Sequence, residues 1–299
     1  MQPPMPLPAK PRGVADRLAV TFMIVALLVV IAVLALIAVY MNRVGKAVAD
    51  LPRMSALPNY PGRPGPVVVD GASPENYLVM TTISDTGELS AVMIGHLSGT
   101  KREFTLVGLP SDLRVTTADG RQSTLAQAFH QDRVLAARSV EGLLGIRMDH
   151  QVHLDLGRFV GVVDALDGLD VDSAERDGRE TVAHLAGSAD AAQRVTRTMD
   201  VVRATLVRLS QAGLIANPNR FDAVMSALTP CIIVDSDLTS TEIEETTVDL
   251  QVRGDRIGAI TLDTYPAADG DSRVADAAHL ARLSKALAAD TVADLVPGR

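Results

Sequence analysis

The hydrophobic pattern of this chain changes character twice before it settles. Residues 18–41 form an unbroken apolar run in which only Thr21 and Tyr40 offer polar side chains. At ~1.5 Å per residue such a helix spans roughly 36 Å, enough to cross a hydrocarbon core of about 30 Å. The run is about twice the length of a signal-peptide core. Arg43 and Lys46 also separate it from the small residues 47–49, so an uncleaved anchor is expected. Next come prolines 52, 58, 61, 64, 66 and 74, with Gly62, Gly65 and Gly71 among them. Proline removes backbone donors and fixes φ, so residues 42–75 are predicted to be a semi-extended linker.

From residue 76 onward short strand patterns alternate with helical ones. Residues 77–82, 90–97 and 103–109 read as strands separated by turn-formers at 85–87 and 98–102. Residues 122–128 and 133–144 read as helices, 150–155 as a strand, and 157–166 as a helix ending at a DGLDV turn into a further strand. Val195, Met199, Val202, Leu206 and Leu209 make a one-sided stripe that predicts a helix over 191–211. Residues 231–234 and 257–262 read as late strands. Thr239 with Glu242 forms a capping-box pattern opening a helix to about residue 252, and 274–295 has amphipathic helical spacing. The expected fold class is α/β: a layered αβα domain around a central, mainly mixed sheet, with one N-terminal transmembrane helix. The domain plan is a tail at 1–17, an anchor at 18–41, a linker at 42–75 and one folded domain at 76–295.

Charge narrows the function classes. Residues 1–46 carry Lys10, Arg12, Arg17, Arg43 and Lys46 against Asp16, a net +4, which leaves −12 of the overall −8 on the remainder. A domain so acidic, with no Arg- or Lys-rich recognition helix, is a poor partner for nucleic acid. Arginine accounts for most of the 28 basic residues, which points to a GC-rich bacterial genome. Cys231 stands alone, so neither an internal disulfide nor a thiolate metal cluster can form.

One segment carries a resemblance. Residues 140–172, VEGLLGIRMDHQVHLDLGRFVGVVDALDGLDVD, resemble the heart of the LytR-CpsA-Psr domain, also called the cell envelope-related transcriptional attenuator domain. NYLVM, SAVMIGHLSG, EFTLVGLPSDLRV, DLTSTEI and GAITL resemble its other motifs in the family's order, over roughly residues 76–295. The resemblance implies an extracytoplasmic phosphotransferase that moves a glycopolymer from a polyprenyl diphosphate carrier onto peptidoglycan. Arginines would clamp the phosphoryl group, and carboxylates would hold Mg²⁺ or activate the acceptor hydroxyl.

The family's phosphate-binding pattern is largely replaced here. Where the resemblance implies G-x-D-x-R, residues 81–85 read TTISD, putting Ile83 and Asp85 in place of Asp and Arg. Where it implies R-S-D-T, Glu88 and Ser90 replace Arg and Asp, and where it implies P-R-D, Ser111 replaces Arg while Asp112 is kept. Arg194 and Arg197 match the late arginine pair, followed by Thr198 instead of Gln, and HLAGS at 184–188 lacks the upstream arginines. A transition-state arginine can be worth about 10³ to 10⁵ in rate. Three such positions are empty and two of them carry acids, so a degenerate member without the transferase activity is expected. No cofactor is then expected, whereas an active site would use Mg²⁺.

Ordinary readings compete with these. Asp112 after Pro110 fits an Asx-turn, and Arg194 and Arg197 fit solvated helix positions paired with Asp190 and Asp200. His150 and His153, three apart on a strand, project to opposite faces and do not form a metal site. Cys231 reads as a small buried apolar residue, and Ser90 and Ser111 have no His or Lys at a spacing that suggests a triad. The favoured function is a membrane-anchored, non-catalytic envelope protein that binds a polyprenyl-linked glycan or an active family member. The alternative is an active phosphotransferase with a rearranged site around Asp112, Arg194 and Arg197. Leu143, Phe159, Val162 and Leu166 are candidates for the wall of a polyprenyl pocket that the resemblance implies.

Overall fold

The computed structural model describes residues 45–46, 49–83, 87–211, 217–239 and 256–297. The chain divides into two compact units, 1–46 and 47–299. Among the described residues no helix is long and apolar enough to cross a membrane. Residues 18–41, Asp85 and the expected helix after Thr239 lie outside them.

Seven strands form the central sheet: β1 (Arg53–Met54), β2 (Glu75–Thr82), β3 (Leu89–Leu97), β4 (Phe104–Pro110), β7 (His150–Asp155), β10 (Ile232–Asp235) and β11 (Ile257–Thr261). Their order is β1-β10-β7-β2-β3-β4-β11, with β2/β7, β4/β11 and β1/β10 parallel and the other pairs antiparallel. Alternation sorts the side chains between two faces. Leu78, Met80, Val92, Ile94, Val107 and Leu109 face a core shared with α1 (Leu125–Gln131), α2 (Arg133–Leu144) and the late helix α7 (Ala277–Ala288). Val79, Ala91 and Met93 face α5 (Ala191–Gln211), which contributes Val195 and Met199. The predicted αβα layering and mixed sheet are observed.

Gly108 explains how closely α5 sits. A Cβ there would collide with Met199 Sδ and Val195 Cγ2, so the bare backbone of β4 is what lets the helix lie directly on the sheet. On the same side, α3 (Val160–Ala165) packs against α4 (Gly178–Ala186) and α6 (Pro218–Leu228).

Several boundaries depart from the sequence reading. Residues 122–124 are not helical. They form β6 (Gln122–Thr124), which pairs with β5 (Arg114–Thr116), and Thr124 caps α1 in a reciprocal box with Gln127. The 157–166 segment splits into a 3₁₀ turn, Leu156–Arg158, and α3. The strand after it, β8 (Leu169–Val171), turns back as β9 (Ala174–Arg176). The expected helix over 274–295 is shorter, because Arg273–Ala275 (β13) pairs with Thr264–Pro266 (β12) and Asp276 caps α7.

The proline-rich segment is docked on the domain rather than free. Arg53 and Met54 extend the sheet beside Val234 and Asp235. Tyr60 and Arg63 both donate to the fully buried carboxylate of Glu141, which also accepts from the Met148 amide. Its own backbone bonds are confined to local turns at Tyr60–Arg63 and Val69–Ala72, so β1 pairing and the Tyr60 and Arg63 side chains make the attachment.

Candidate functional site at the carboxyl edge of the sheet

Parallel strands end their carboxyl termini at one edge, and open α/β sheets bind ligands there. At that edge β2, β4, β7 and β11 end at Thr82, Pro110, Asp155 and Thr261. The chain leaves β2 across Gly157, where a Cβ would collide with the Ile83 carbonyl, and this close approach holds Ile83 over the 3₁₀ turn.

Asp112 follows β4, and the amino end of α5 reaches it. Burial pushes its carboxyl above the ordinary carboxylate range. Arg273 is the principal opposing influence, Arg194 a lesser one, and Asp190 adds to the rise. Asp112 Oδ1 is buried with no hydrogen-bond partner among the described residues. Asp190 is engaged as a cap, accepting from the Gln193 amide at 2.7 Å. Arg194 is half-buried and makes no side-chain hydrogen bond or ion pair among the described residues.

The other candidates separate. Arg197 turns away and donates to the His184 carbonyl at 2.7 Å, fastening the carboxyl end of α4. Ser90 and Ser111 lie one step beyond the last β3–β4 pair, Ala91 with Pro110, and both are buried; Ser90 Oγ has no partner among the described residues. Glu88 is exposed. Arg114, the nearest basic residue in sequence, is committed to Ser272 and Asp269. His150 stacks on Tyr77 at 5.2 Å, while His153 lies tilted against Phe129 at 6.1 Å on the other face. Cys231 donates to the Arg158 and Ala227 carbonyls, and burial pushes its thiol up to about 11.

The four proposed pocket residues fall on two parts of the fold. Leu143 packs at the margin of the α1–α2–α7 core. Phe159, Val162 and Leu166 are buried on or beside α3, which packs on α4 and α6.

Sequence reasoning missed Arg273. Its amide donates to the Asp112 carbonyl at 3.0 Å, and its guanidinium is braced by Thr264 Oγ1 at 2.7 Å and the Thr264 carbonyl at 3.1 Å. The β12–β13 hairpin that delivers it overlaps the start of the helix expected over 274–295, and no local signal marks Arg273.

The described residues do not fit a magnesium ion. Ile83 and Ser90 stand where the resemblance implies carboxylates, Asp190 is a cap, and Asp155 is held by Gly157 and Arg158. Asp263, past the end of β11, is paired with His279, and Asp112 by itself falls short of the oxygen set that Mg²⁺ demands.

Comparison with known proteins agrees with this architecture. Residues 74–187 match the LytR_cpsA_psr family. The LytR-Csp2A-Psr enzyme from Actinomyces oris superposes with a TM-score of 0.64 at 17% identity, covering 80% of this chain and 96% of that one. TagV of B. subtilis gives 0.60 at 18% identity, covering 73% and 97%. TagT bound to LI-WTA gives 0.59 at 16% identity, covering 73% and 90%. No curated protein matches the sequence. Residues 74–187 thus match the LytR_cpsA_psr family, and the domain that contains them has the fold of the solved LytR-Csp2A-Psr enzyme, TagV and TagT.

Proposed function

We propose that this protein is a membrane-anchored, extracytoplasmic binder of a polyprenyl-linked glycan that has lost phosphotransferase activity. The observation that carries the reading is that two arginines, Arg273 and Arg194, both act on the partly buried Asp112 carboxyl at the carboxyl edge. Guanidinium groups bind phosphate oxygens through parallel hydrogen bonds, and the Arg194 group has donors to offer. TagT, of the same fold, has been solved with LI-WTA and with LIIa-WTA bound. Loss of turnover is supported by Ser111 and Glu88 in the implied arginine positions and by the poor magnesium set. Residues 18–41 would supply the anchor, and a carboxyl-terminal reporter on the cytoplasmic side would overturn that placement.

A second reading is favoured by one observation. A carboxyl raised by burial beside two arginines has the character of a general base, so Asp112 would serve an active, rearranged site. The two readings separate in an assay of prenyl diphosphate cleavage with Mg²⁺ or Mn²⁺. The binder gives no turnover above a protein-free control. Turnover abolished by Asp112→Ala would establish the second reading.

A further inference from the structure

Away from the carboxyl edge, a cleft of about 690 Å³ opens where the proline-rich segment crosses α2. Tyr60, Pro61 and Pro64 form one wall, and Thr116, Arg138 and Leu143 contribute to the others. Its size falls within the range of small-molecule sites, roughly 300–1,000 Å³.

Arg138 is the informative residue. Its guanidinium lies 4.2 Å from the centroid of the Tyr60 ring. Its Nε is buried without a partner, and among the described residues its side chain makes no hydrogen bond or ion pair. A buried donor in a folded protein normally has a partner. The nearby charges do not supply one. Glu141 is satisfied by Tyr60, Arg63 and the Met148 amide, and Arg63 also reaches the Met148 carbonyl at 2.7 Å. The same carboxylate holds the Tyr60 ring in place: burial and the bond to Glu141 push its phenol up to about 12. The cleft is therefore a rigid aromatic and proline surface beside one uncompensated guanidinium.

We infer that this cleft is an anion-binding site, in which Arg138 receives a phosphate or carboxylate group and the Tyr60 and proline rings support the body of the molecule bearing it. The site is separate from Asp112, so the inference does not depend on the proposed function.

The test uses the full-length chain with inorganic phosphate as the probe, followed by broadening of its ³¹P resonance. An Arg194→Gln background lowers binding at the carboxyl edge. A charge-assisted hydrogen bond is worth about 1.5–3 kcal/mol, so Arg138→Gln is expected to lower phosphate affinity about tenfold or more. Arg102→Gln, at an exposed position, is expected to change it less than about twofold. Thr116→Glu places a carboxylate at the exposed rim without touching the core, and is expected to weaken phosphate equally. Displacement by acetate would identify the carboxylate form of the ligand, and resistance to acetate the phosphate form; both support the site. Unchanged affinity in Arg138→Gln and Thr116→Glu, or an equal loss in Arg102→Gln, would overturn it.

Discussion

The two ends of the central sheet treat buried polar groups differently. At the amino end they are tied to one another. Glu141 is held by Tyr60, Arg63 and Met148, and Asp235 by the Gln151 and Leu238 amides. His96 bridges Asn76 at 2.8 Å and Asp290 at 2.9 Å, locking the carboxyl end of α7 to β3. At the carboxyl end Asp112 Oδ1 and Ser90 Oγ are buried without partners, and Arg194 is free of ion pairs among the described residues. Satisfied networks fix a structure, while unsatisfied groups in a folded protein ask for a role. The amino end holds the linker and the last helix in place; the carboxyl end keeps capacity for a ligand. Gln151 Oε1 and Arg138 Nε are exceptions at the amino end, and of these Arg138 carries a charge and lines a cleft, so it marks a separate site.

The largest effect is expected at Glu141. Glu141→Ala strands the nearly fully buried Arg63 guanidinium, and is expected to cost about 3–5 kcal/mol in denaturant unfolding. A loss below about 1 kcal/mol would show that the linker is not fastened through this carboxylate. At the other end, Gly108→Ala forces Val195 and Met199 away from β4, an overpacking expected to cost about 1–3 kcal/mol. Because the same helix carries Arg194, binding of a prenyl diphosphate should weaken with it. Stability lost with affinity intact would uncouple α5 from the site.

A smaller effect is expected at Asp112. Burial raises its folded-state carboxyl above the unfolded value, so the folded protein binds the proton more tightly. Stability from this group is complete below the unfolded carboxylate range and is lost as pH rises through the raised folded value. Asp112→Asn should therefore raise Tm at neutral pH, with the gain vanishing at pH values where both states are protonated. A gain that persists in acid, or a neutral-pH loss, contradicts the raised carboxyl. The smallest expected signal is at Cys231. Its buried, raised thiol should resist iodoacetamide at pH 8 in the folded protein and react on unfolding.

Sequence periodicity located the long elements well, because burial on one face enforces it. α2, β7 and α5 begin and end where their apolar spacing begins and ends. The errors fall where local chemistry overrides periodicity. Thr124 with Gln127 and Asp276 with His279 cap their helices later than the apolar stripe suggests. α4 carried a readable signal in Asp177 and Glu180, a capping box, and α6 one in Asn217 and Pro218. The site was legible only in part. The Arg194 charge acts on Asp112, but nothing local distinguishes Arg194 from Arg197, which the fold turns onto α4. Ser111 is buried rather than exposed, so restoring an arginine there would disturb packing as well as charge. Arg273 depends on a pairing with Leu113 across more than half the folded domain, which no local pattern encodes.

The most direct test is a crystal structure of the full-length protein with a short-chain prenyl diphosphate. The diphosphate is expected at the carboxyl edge, contacted by Arg194 and Arg273 beside Asp112. A diphosphate held elsewhere, with both arginines untouched, would contradict it.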